Sequence, residues 1–183
     1  MKMNFIKTEK EILKEIREVL EENSEKSERD LVRAVTAAKR IFVAGQGRSG
    51  LVGRGFAMRL MQLGLAAFVV GETTTPAIGK GDLLVVVSGS GETKTVADFA
   101  GEAKGSGAKV ACVTAEAKST VAKKSDIAII LKGKTKEKGE SIEPLGSLFE
   151  QSALIFFDAV IIGLMKKAGK GEKEMRGRHA SLE

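Results

Sequence analysis

The chain has 183 residues, of which 43% are hydrophobic and 30% charged, and its formal net charge at pH 7 is +6. This length suits one domain with one buried core, and the composition excludes a disordered chain. The basic residues are mixed with glutamates along predicted helices, and the chain has no Trp and no Tyr on which bases could stack. We therefore expect neither nucleic acid nor a membrane as a partner.

The single cysteine and the N-terminal residues indicate the compartment. Cys112 lies in the apolar run Val110–Val113 and cannot form a disulfide within the chain, so we expect a buried thiol and a reducing compartment. Residues Met1–Asn4 lead directly into a charged amphipathic pattern, without an apolar signal segment. The sequence therefore predicts a cytoplasmic protein.

The periodicity of apolar residues predicts the fold class. Apolar side chains recur at intervals of three and four over Phe5–Lys39, with a capping-type break at Asn23–Ser24, which predicts two helices. Short β-rich runs follow, separated by helical stretches or short loops, over 41–44, 67–70, 83–87, 110–114 and 127–131. Apolar strands that alternate with helices form parallel sheets covered on both faces. We predict an α/β three-layer sandwich with a five-stranded parallel, flavodoxin-like sheet after two N-terminal helices.

We expect a single domain over 1–183, made of a helical arm (1–40), an α/β core (41–168) and a C-terminal tail (169–183). The late run Leu148–Met165 is almost entirely apolar, but charged and polar residues interrupt it, which leaves it too short for a membrane span. We interpret it as a helix buried in the core or in a subunit interface. The lysine-rich stretch Lys132–Glu140 predicts a mobile loop.

The loop after the first predicted strand, Gly45–Gly50, matches the pattern G-x-G-x-x-G, and Glu72 follows the second strand where a ribose-binding acid could lie. A nicotinamide dehydrogenase is therefore one hypothesis. The motif is weak when it stands alone, because the same glycines suit any tight turn from a strand into a helix. Ligands bind beyond the carboxyl ends of the strands in open α/β sheets, so this loop is a candidate ligand site whether or not it binds a dinucleotide.

The loop after the third predicted strand favours a different kind of ligand from a dinucleotide. It runs from Ser88 to Thr93, opens a helix, and contains two glycines and three hydroxyl side chains. Glycines allow the backbone to approach an anion, and the free N–H groups at the start of a helix favour negative charge. The loop is typical of a site for one phosphate monoester, which a dinucleotide enzyme does not need.

These loops belong to a wider set of matching segments. The segments are Gly45–Gly50, Ala57–Leu60, Val70–Pro76, Ser88–Thr93, Pro144–Glu150 and Arg178–Glu183. Together they resemble the 6-phospho-3-hexuloisomerases, a branch of the SIS (sugar isomerase) domain family, over nearly the whole chain. The serine-rich loop is shared by SIS domains generally, whereas the first loop, the Thr-Thr-Thr-Pro segment and the C-terminal segment indicate this branch. One departure is the segment before Pro144, which is often longer in the family.

The resemblance implies interconversion of D-arabino-3-hexulose 6-phosphate and fructose 6-phosphate through a cis-enediol. This reaction is the second step of the ribulose monophosphate route, which handles formaldehyde or supplies pentoses. The resemblance also implies no metal, no organic cofactor and a homotetramer. It places the catalytic roles on Glu150 and on His179, the latter acting in the active site of a neighbouring subunit.

Each candidate residue also has a structural interpretation. Glu150 can serve as the general base, since partial desolvation at the start of an apolar helix favours proton uptake, or it can simply interact with the helix dipole. The remaining substrate-binding candidates are Gly47, Arg48 and Ser49 in the first loop and Ser88, Gly89, Ser90 and Thr93 in the second. Arg48 can hold an oxyanion through parallel N–H groups or be a surface charge. Glu92 is expected to help start its own helix.

Other functions are compatible with the same motifs. A stand-alone sensor of this fold would bind fructose 6-phosphate without converting it. A sensor joined to a DNA-binding unit is disfavoured, because residues 1–40 contain only two predicted helices and no basic recognition helix. An isomerase for another phosphosugar, such as arabinose 5-phosphate or sedoheptulose 7-phosphate, also fits the spacing.

Overall fold

The computed structural model describes residues 4–135 and 140–181. The helices in this part of the chain are α1 (Phe5–Glu21), α2 (Glu25–Ala37), α3 (Gly47–Gln62), α4 (Lys94–Gly105), α5 (Thr120–Lys124), α6 (Ser147–Ala168) and α7 (Glu172–Arg176). The strands are β1 (Ile41–Gly45), β2 (Ala67–Val69), β3 (Leu83–Val87), β4 (Lys109–Thr114) and β5 (Ile127–Ile130). The strands agree with the predicted runs to within one residue at each end.

The strands form one parallel sheet in the order β2-β1-β3-β4-β5, which confirms the predicted flavodoxin-like arrangement. Strand β1 pairs with β2 on one side and with β3 on the other, so that Val43 lies opposite Val69 and Val85. The chain adds β2 on one side of β1 and the later strands on the other side, so the strand order reverses between β1 and β3. This is the switch point at which open α/β sheets bind ligands, and the loops that follow β1 and β3 lie at its mouth.

Each face of the sheet has its own core. One core lies between the sheet and helices α1, α2, α3 and α6, and includes the stacked rings of Phe56 and Phe157, whose centroids are 4.2 Å apart. The other core lies between the sheet and helices α4 and α5, and contains Phe42, Val96 and the buried thiol of Cys112. Burial raises the pKa of Cys112, as expected for a thiol with a packing role.

Helix α6 is long and apolar enough to cross a membrane by length and composition alone. Its inner face is nevertheless buried against α1, α2 and α3, so it is a core helix. Burial in the core was one of the two alternatives predicted from the sequence. Its outer face leaves Leu154, Ile155 and Ile162 exposed. The two predicted N-terminal helices are also confirmed, with Ser24 capping α2 where the sequence breaks.

The amino ends of β1 and β3 are fixed by one ion pair on the side of the sheet away from the loops. The guanidinium of Arg40 donates to both carboxylate oxygens of Asp82, from Nε at 3.0 Å and Nη2 at 2.6 Å. The backbone N–H of Gly79 donates to the same carboxylate at 2.9 Å. These bonds hold the pKa of Asp82 below its ordinary value, and they fix the register of the two strands that carry the candidate site.

Candidate active site

A cavity of about 240 Å³ opens at the carboxyl ends of β1 and β3. All the site residues predicted from the sequence, except His179, line it: Gly47, Arg48, Ser49, Ser88, Gly89, Ser90, Thr93 and Glu150. The structure therefore brings two loops that are some 40 residues apart, and the start of a late helix, to one place. The roles of these residues remain predictions.

Helices α3, α4 and α6 all begin at this cavity, and none of them has a side-chain cap. The residues before them, Gln46, Thr93 and Gly146, make no capping hydrogen bond, although all three line the cavity. By contrast, side chains of Asn4, Ser24 and Ser119 cap α1, α2 and α5. Uncapped helix starts present backbone N–H groups and partial positive charge. Their convergence at the cavity favours the binding of an anion there.

The serine-rich loop is folded by its own hydroxyl groups. The N–H of Gly91 donates to Ser88 Oγ at 3.2 Å and to the Ser88 carbonyl at 3.1 Å, and the N–H of Glu92 donates to Ser90 Oγ at 3.3 Å. Gly91 has φ of +63°, and a Cβ there would lie 2.2 Å from Ser119 Oγ. The loop thus requires glycine at this position for its conformation and for its close contact with the neighbouring loop.

Glu92 makes a contact that the sequence did not predict. Its carboxylate accepts hydrogen bonds from Thr120 N at 2.9 Å and from Thr120 Oγ1 at 2.6 Å, at the start of α5. It therefore supports the first turn of α5, and it joins the serine-rich loop to the loop after β4. The sequence offered no signal for this contact, because the two residues are 28 positions apart.

The glycines of the first loop have two different roles: Gly47 adopts a left-handed backbone, and Gly50 allows close packing of α3 on β1. Gly47 has φ of +57°, and a Cβ on Gly50 would lie 2.6 Å from the carbonyl oxygen of Gly45. Glu72, the residue that could have bound a ribose, pairs with Arg54 and does not line the cavity. The cavity is small for a dinucleotide, and these observations favour the phosphate-ester interpretation over the dehydrogenase.

Glu150 lies in the first turn of α6 and forms an ion pair inside the cavity. Its carboxylate Oε2 is 2.6 Å from Arg48 Nε, and the side chain of Glu150 is only 8% exposed whereas that of Arg48 is 59% exposed. The pair joins the helix that follows the first loop to the late helix. Because it is exposed, the guanidinium of Arg48 is also accessible to an anionic ligand in the cavity.

His179 does not reach this cavity within one chain. It is exposed and lines a separate groove between α3, α6 and α7, together with Arg59, Asp158 and Met175. Its Nδ1 lies 3.2 Å from the carbonyl oxygen of Ala180. A role for His179 in catalysis therefore requires a second subunit. Leu182 and Glu183, which complete the predicted C-terminal segment, lie outside the described residues.

Sequence reasoning missed several residues that line the cavity: Gln46, Val87, Thr135, Gly146 and Phe149. Thr135 is buried although it belongs to the lysine-rich stretch predicted to be a mobile loop. Residues 136–139 of that stretch lie outside the described residues. Its described beginning packs on α6, since a Cβ on Gly133 would lie 3.1 Å from the backbone of Phe149. Composition alone gave no sign that this loop reaches the site.

No group of three or more histidine, cysteine or acidic side chains that could hold a metal ion occurs within residues 4–135 and 140–181.

Comparisons with known proteins agree with this geometry. A family model described as SIS domain matches residues 34–156. The 3-hexulose-6-phosphate isomerase of Bacillus subtilis is 41% identical over 177 residues, which cover 94% of this chain and 96% of that protein. The protein of the same name from Methanocaldococcus jannaschii is 42% identical over 152 residues, covering 83% of this chain and 82% of that protein.

A solved structure gives the same result for the fold. A crystal structure from Methanococcus jannaschii, for which a 3-hexulose-6-phosphate isomerase function has been inferred, superposes with a TM-score of 0.86 at 37% identity. The match covers 97% of this chain and 99% of that chain.

Proposed function

The chain belongs to the SIS domain family and is an isomerase of its 3-hexulose-6-phosphate isomerase branch, and from this we propose that it interconverts D-arabino-3-hexulose 6-phosphate and fructose 6-phosphate. The reaction would serve the ribulose monophosphate route in the cytoplasm, without a cofactor. The observation that carries this proposal is the position of Glu150, a buried carboxylate in the cavity where uncapped helices α3, α4 and α6 begin.

The cavity supplies the two functions that the reaction needs. The serine-rich loop and the start of α4 bind the phosphate, which fixes the sugar chain relative to α6. Glu150 then removes the proton from C3 of fructose 6-phosphate while the C2 carbonyl oxygen gains a proton, which produces a cis-enediol between C2 and C3. Return of a proton to C2 and loss of the proton on O3 give the C3 ketone. Arg48 can stabilise the negative charge that develops on the enediol oxygens.

Proton transfer at the two oxygens requires a further acid and base. We assign this role to His179 of a neighbouring subunit, because an imidazole exchanges protons near neutral pH and His179 is outside the cavity of its own chain. The proposal thus includes a homo-oligomer, which we infer to be a tetramer.

An apolar surface supports association through the late helix and the N-terminal helices. Exposed large apolar side chains lie on α1, α3 and α6: Phe5, Ile6, Leu13, Leu51, Met58, Met61, Leu154, Ile155 and Ile162. Such a surface on a monomer would favour aggregation. We expect light scattering at micromolar concentration to give the mass of an oligomer, and a mass equal to the 19.4 kDa of one chain would contradict the proposal.

The test of the proposed reaction is solvent-deuterium uptake into fructose 6-phosphate, followed by NMR. The proposal expects deuterium at C3, because that carbon loses its proton on the way to the C2–C3 enediol. Deuterium at C1 would instead indicate an enediol between C1 and C2, as an isomerase of aldoses and ketoses forms. Saturable binding of fructose 6-phosphate without exchange at either carbon would indicate a sensor.

Replacing Ser90 with alanine should weaken binding of fructose 6-phosphate by about ten-fold, because a hydroxyl bond to a charged phosphate is lost. The residual exchange at C3 should remain detectable, since Ser90 is expected to anchor the substrate and not to transfer the reacting proton. Ser106→Ala is the matched control, because Ser106 lies at the opposite end of α4 and is exposed. Isothermal titration calorimetry measures both variants, and equal affinities would contradict the assignment of the phosphate to this loop.

A further inference from the structure

Glu143 is a buried acid that takes no part in the proposed reaction. It lies just before the turn into α6, is only 6% exposed, and does not line the cavity. Its Oε1 accepts a hydrogen bond of 2.5 Å from Gln151 Nε2, and its Oε2 has no hydrogen-bond partner among the described residues. An unpaired, buried carboxylate oxygen lowers stability. Stability therefore does not explain this residue.

The segment that carries Glu143 is held at both ends. Before it, the carboxylate of Glu15 on α1 accepts from Ser141 Oγ at 2.5 Å and from Ile142 N at 3.2 Å. After it, the bond to Gln151 joins Glu143 to the residue that follows Glu150 in α6. The Glu143 carboxyl group is thus fixed against the first turns of the helix that carries the proposed base.

Charged groups on three packed elements act on Glu143. Burial is the main cause that raises its pKa above the ordinary value, and the charges of Glu15 and Glu150 raise it further. The Gln151 hydrogen bond and the charge of Arg48 act in the opposite direction. Lys134 Nζ lies 3.4 Å from the Glu143 carbonyl oxygen. The charges of Glu150 and Arg48 therefore act on the proton affinity of Glu143 in opposite directions.

We propose that Glu143 is a positioning residue for Glu150: it holds the start of α6 through Gln151 and places a second negative charge beside the Arg48–Glu150 ion pair. This inference rests on the proposed function, in which Glu150 is the base. When Arg48 turns to the substrate, the negative charge of Glu143 remains and disfavours a second negative charge at Glu150. Glu150 then accepts a proton from carbon more readily.

Replacing Glu143 with glutamine removes this charge while keeping an acceptor for Gln151. The acid limb of the pH profile for deuterium exchange at C3 should move to lower pH by about 0.5 to 1 unit, because Glu150 then ionises more easily. The plateau rate should fall by about three- to ten-fold, with little change in the affinity for fructose 6-phosphate. Glu140→Gln is the matched control, since it removes the same charge from an exposed position on the same segment.

Gln151→Leu tests the hydrogen bond between Gln151 and Glu143 separately from the charge of Glu143. It removes the hydrogen bond but leaves the Glu143 carboxyl in place, so the plateau rate should fall while the acid limb stays within about 0.2 unit of wild type. An acid limb that is unmoved in Glu143→Gln would overturn the proposal. A limb that moves equally in Glu140→Gln would also overturn it, because the effect would then come from general surface charge.

Stability measurements at several pH values show whether Glu143→Gln folds normally. Because folding raises the pKa of Glu143 above its ordinary value of 4.5, the folded state holds this proton more tightly than the unfolded state. The contribution of Glu143 to stability therefore falls as the pH rises above that value. Urea denaturation should find that Glu143→Gln gains stability relative to wild type between pH 4.5 and pH 7.

A readout that does not depend on activity is the titration of Glu143 by NMR with ¹³C-labelled glutamate side chains. Removing the neighbouring charge with Glu150→Gln should lower the pKa of Glu143, and an unchanged titration would overturn the electrostatic link. If wild type shows no exchange at C3, the proposed reaction fails. If wild type exchanges normally but neither the acid limb nor this titration moves, only the role of Glu143 fails.

Discussion

Glu150→Gln is expected to reduce deuterium exchange at C3 of fructose 6-phosphate by a factor of about 10² to 10⁴. Glutamine keeps the shape of the side chain and an oxygen that can accept from Arg48, but it cannot take up the substrate proton. Affinity for fructose 6-phosphate should change little, because we expect most ground-state binding to come from the serine-rich loop and the start of α4. NMR exchange rates and calorimetry measure the two quantities separately.

The control for this experiment is Glu102→Gln, which removes an exposed carboxylate on α4 and should leave exchange and binding unchanged. If Glu150→Gln exchanged deuterium at the wild-type rate, Glu150 would have only a structural role at the start of α6. The base would then have to be sought at His179, since Glu72 pairs with Arg54 and does not line the cavity.

Gly50→Ala is expected to lower kcat/KM by about 10²-fold through a displacement of the backbone. A Cβ at this position would lie 2.6 Å from the carbonyl oxygen of Gly45 and 3.0 Å from its carbonyl carbon. Both atoms belong to the backbone, so no side chain can rotate to make room. Either β1 or the start of α3 must therefore shift. Arg48 and Ser49, which line the cavity, lie between Gly45 and Gly50 in the chain, so such a shift would displace them.

Gly55→Ala is the matched control for Gly50→Ala, because Gly55 lies in the same helix and no atom is within 4 Å of a Cβ added there. Alanine favours helix over glycine by about 1 kcal/mol, so this variant should keep its activity and gain stability. Thermal denaturation and steady-state kinetics compare the pair. Full activity in Gly50→Ala would show that the first loop does not need its close packing on β1.

The fold followed from local patterns in the sequence. Apolar runs of four or five residues between helical stretches located the five strands, and the break at Asn23–Ser24 located the start of α2. Glycines and hydroxyl residues after β1 and β3 identified the two loops at the switch point. These features could be predicted because each depends on residues that are neighbours in the chain, where periodicity and turn chemistry act directly.

The tertiary structure alone decided which side chains meet. The ion pair of Arg48 with Glu150 and the contact of Glu92 with Thr120 join residues 102 and 28 positions apart (150 − 48 and 120 − 92), and no local pattern specifies them. Burial of Thr135 and Glu143 likewise contradicts what their polar surroundings in the sequence suggest. Such contacts depend on how the helices pack on the sheet, and this packing is fixed by the sum of many distant apolar contacts.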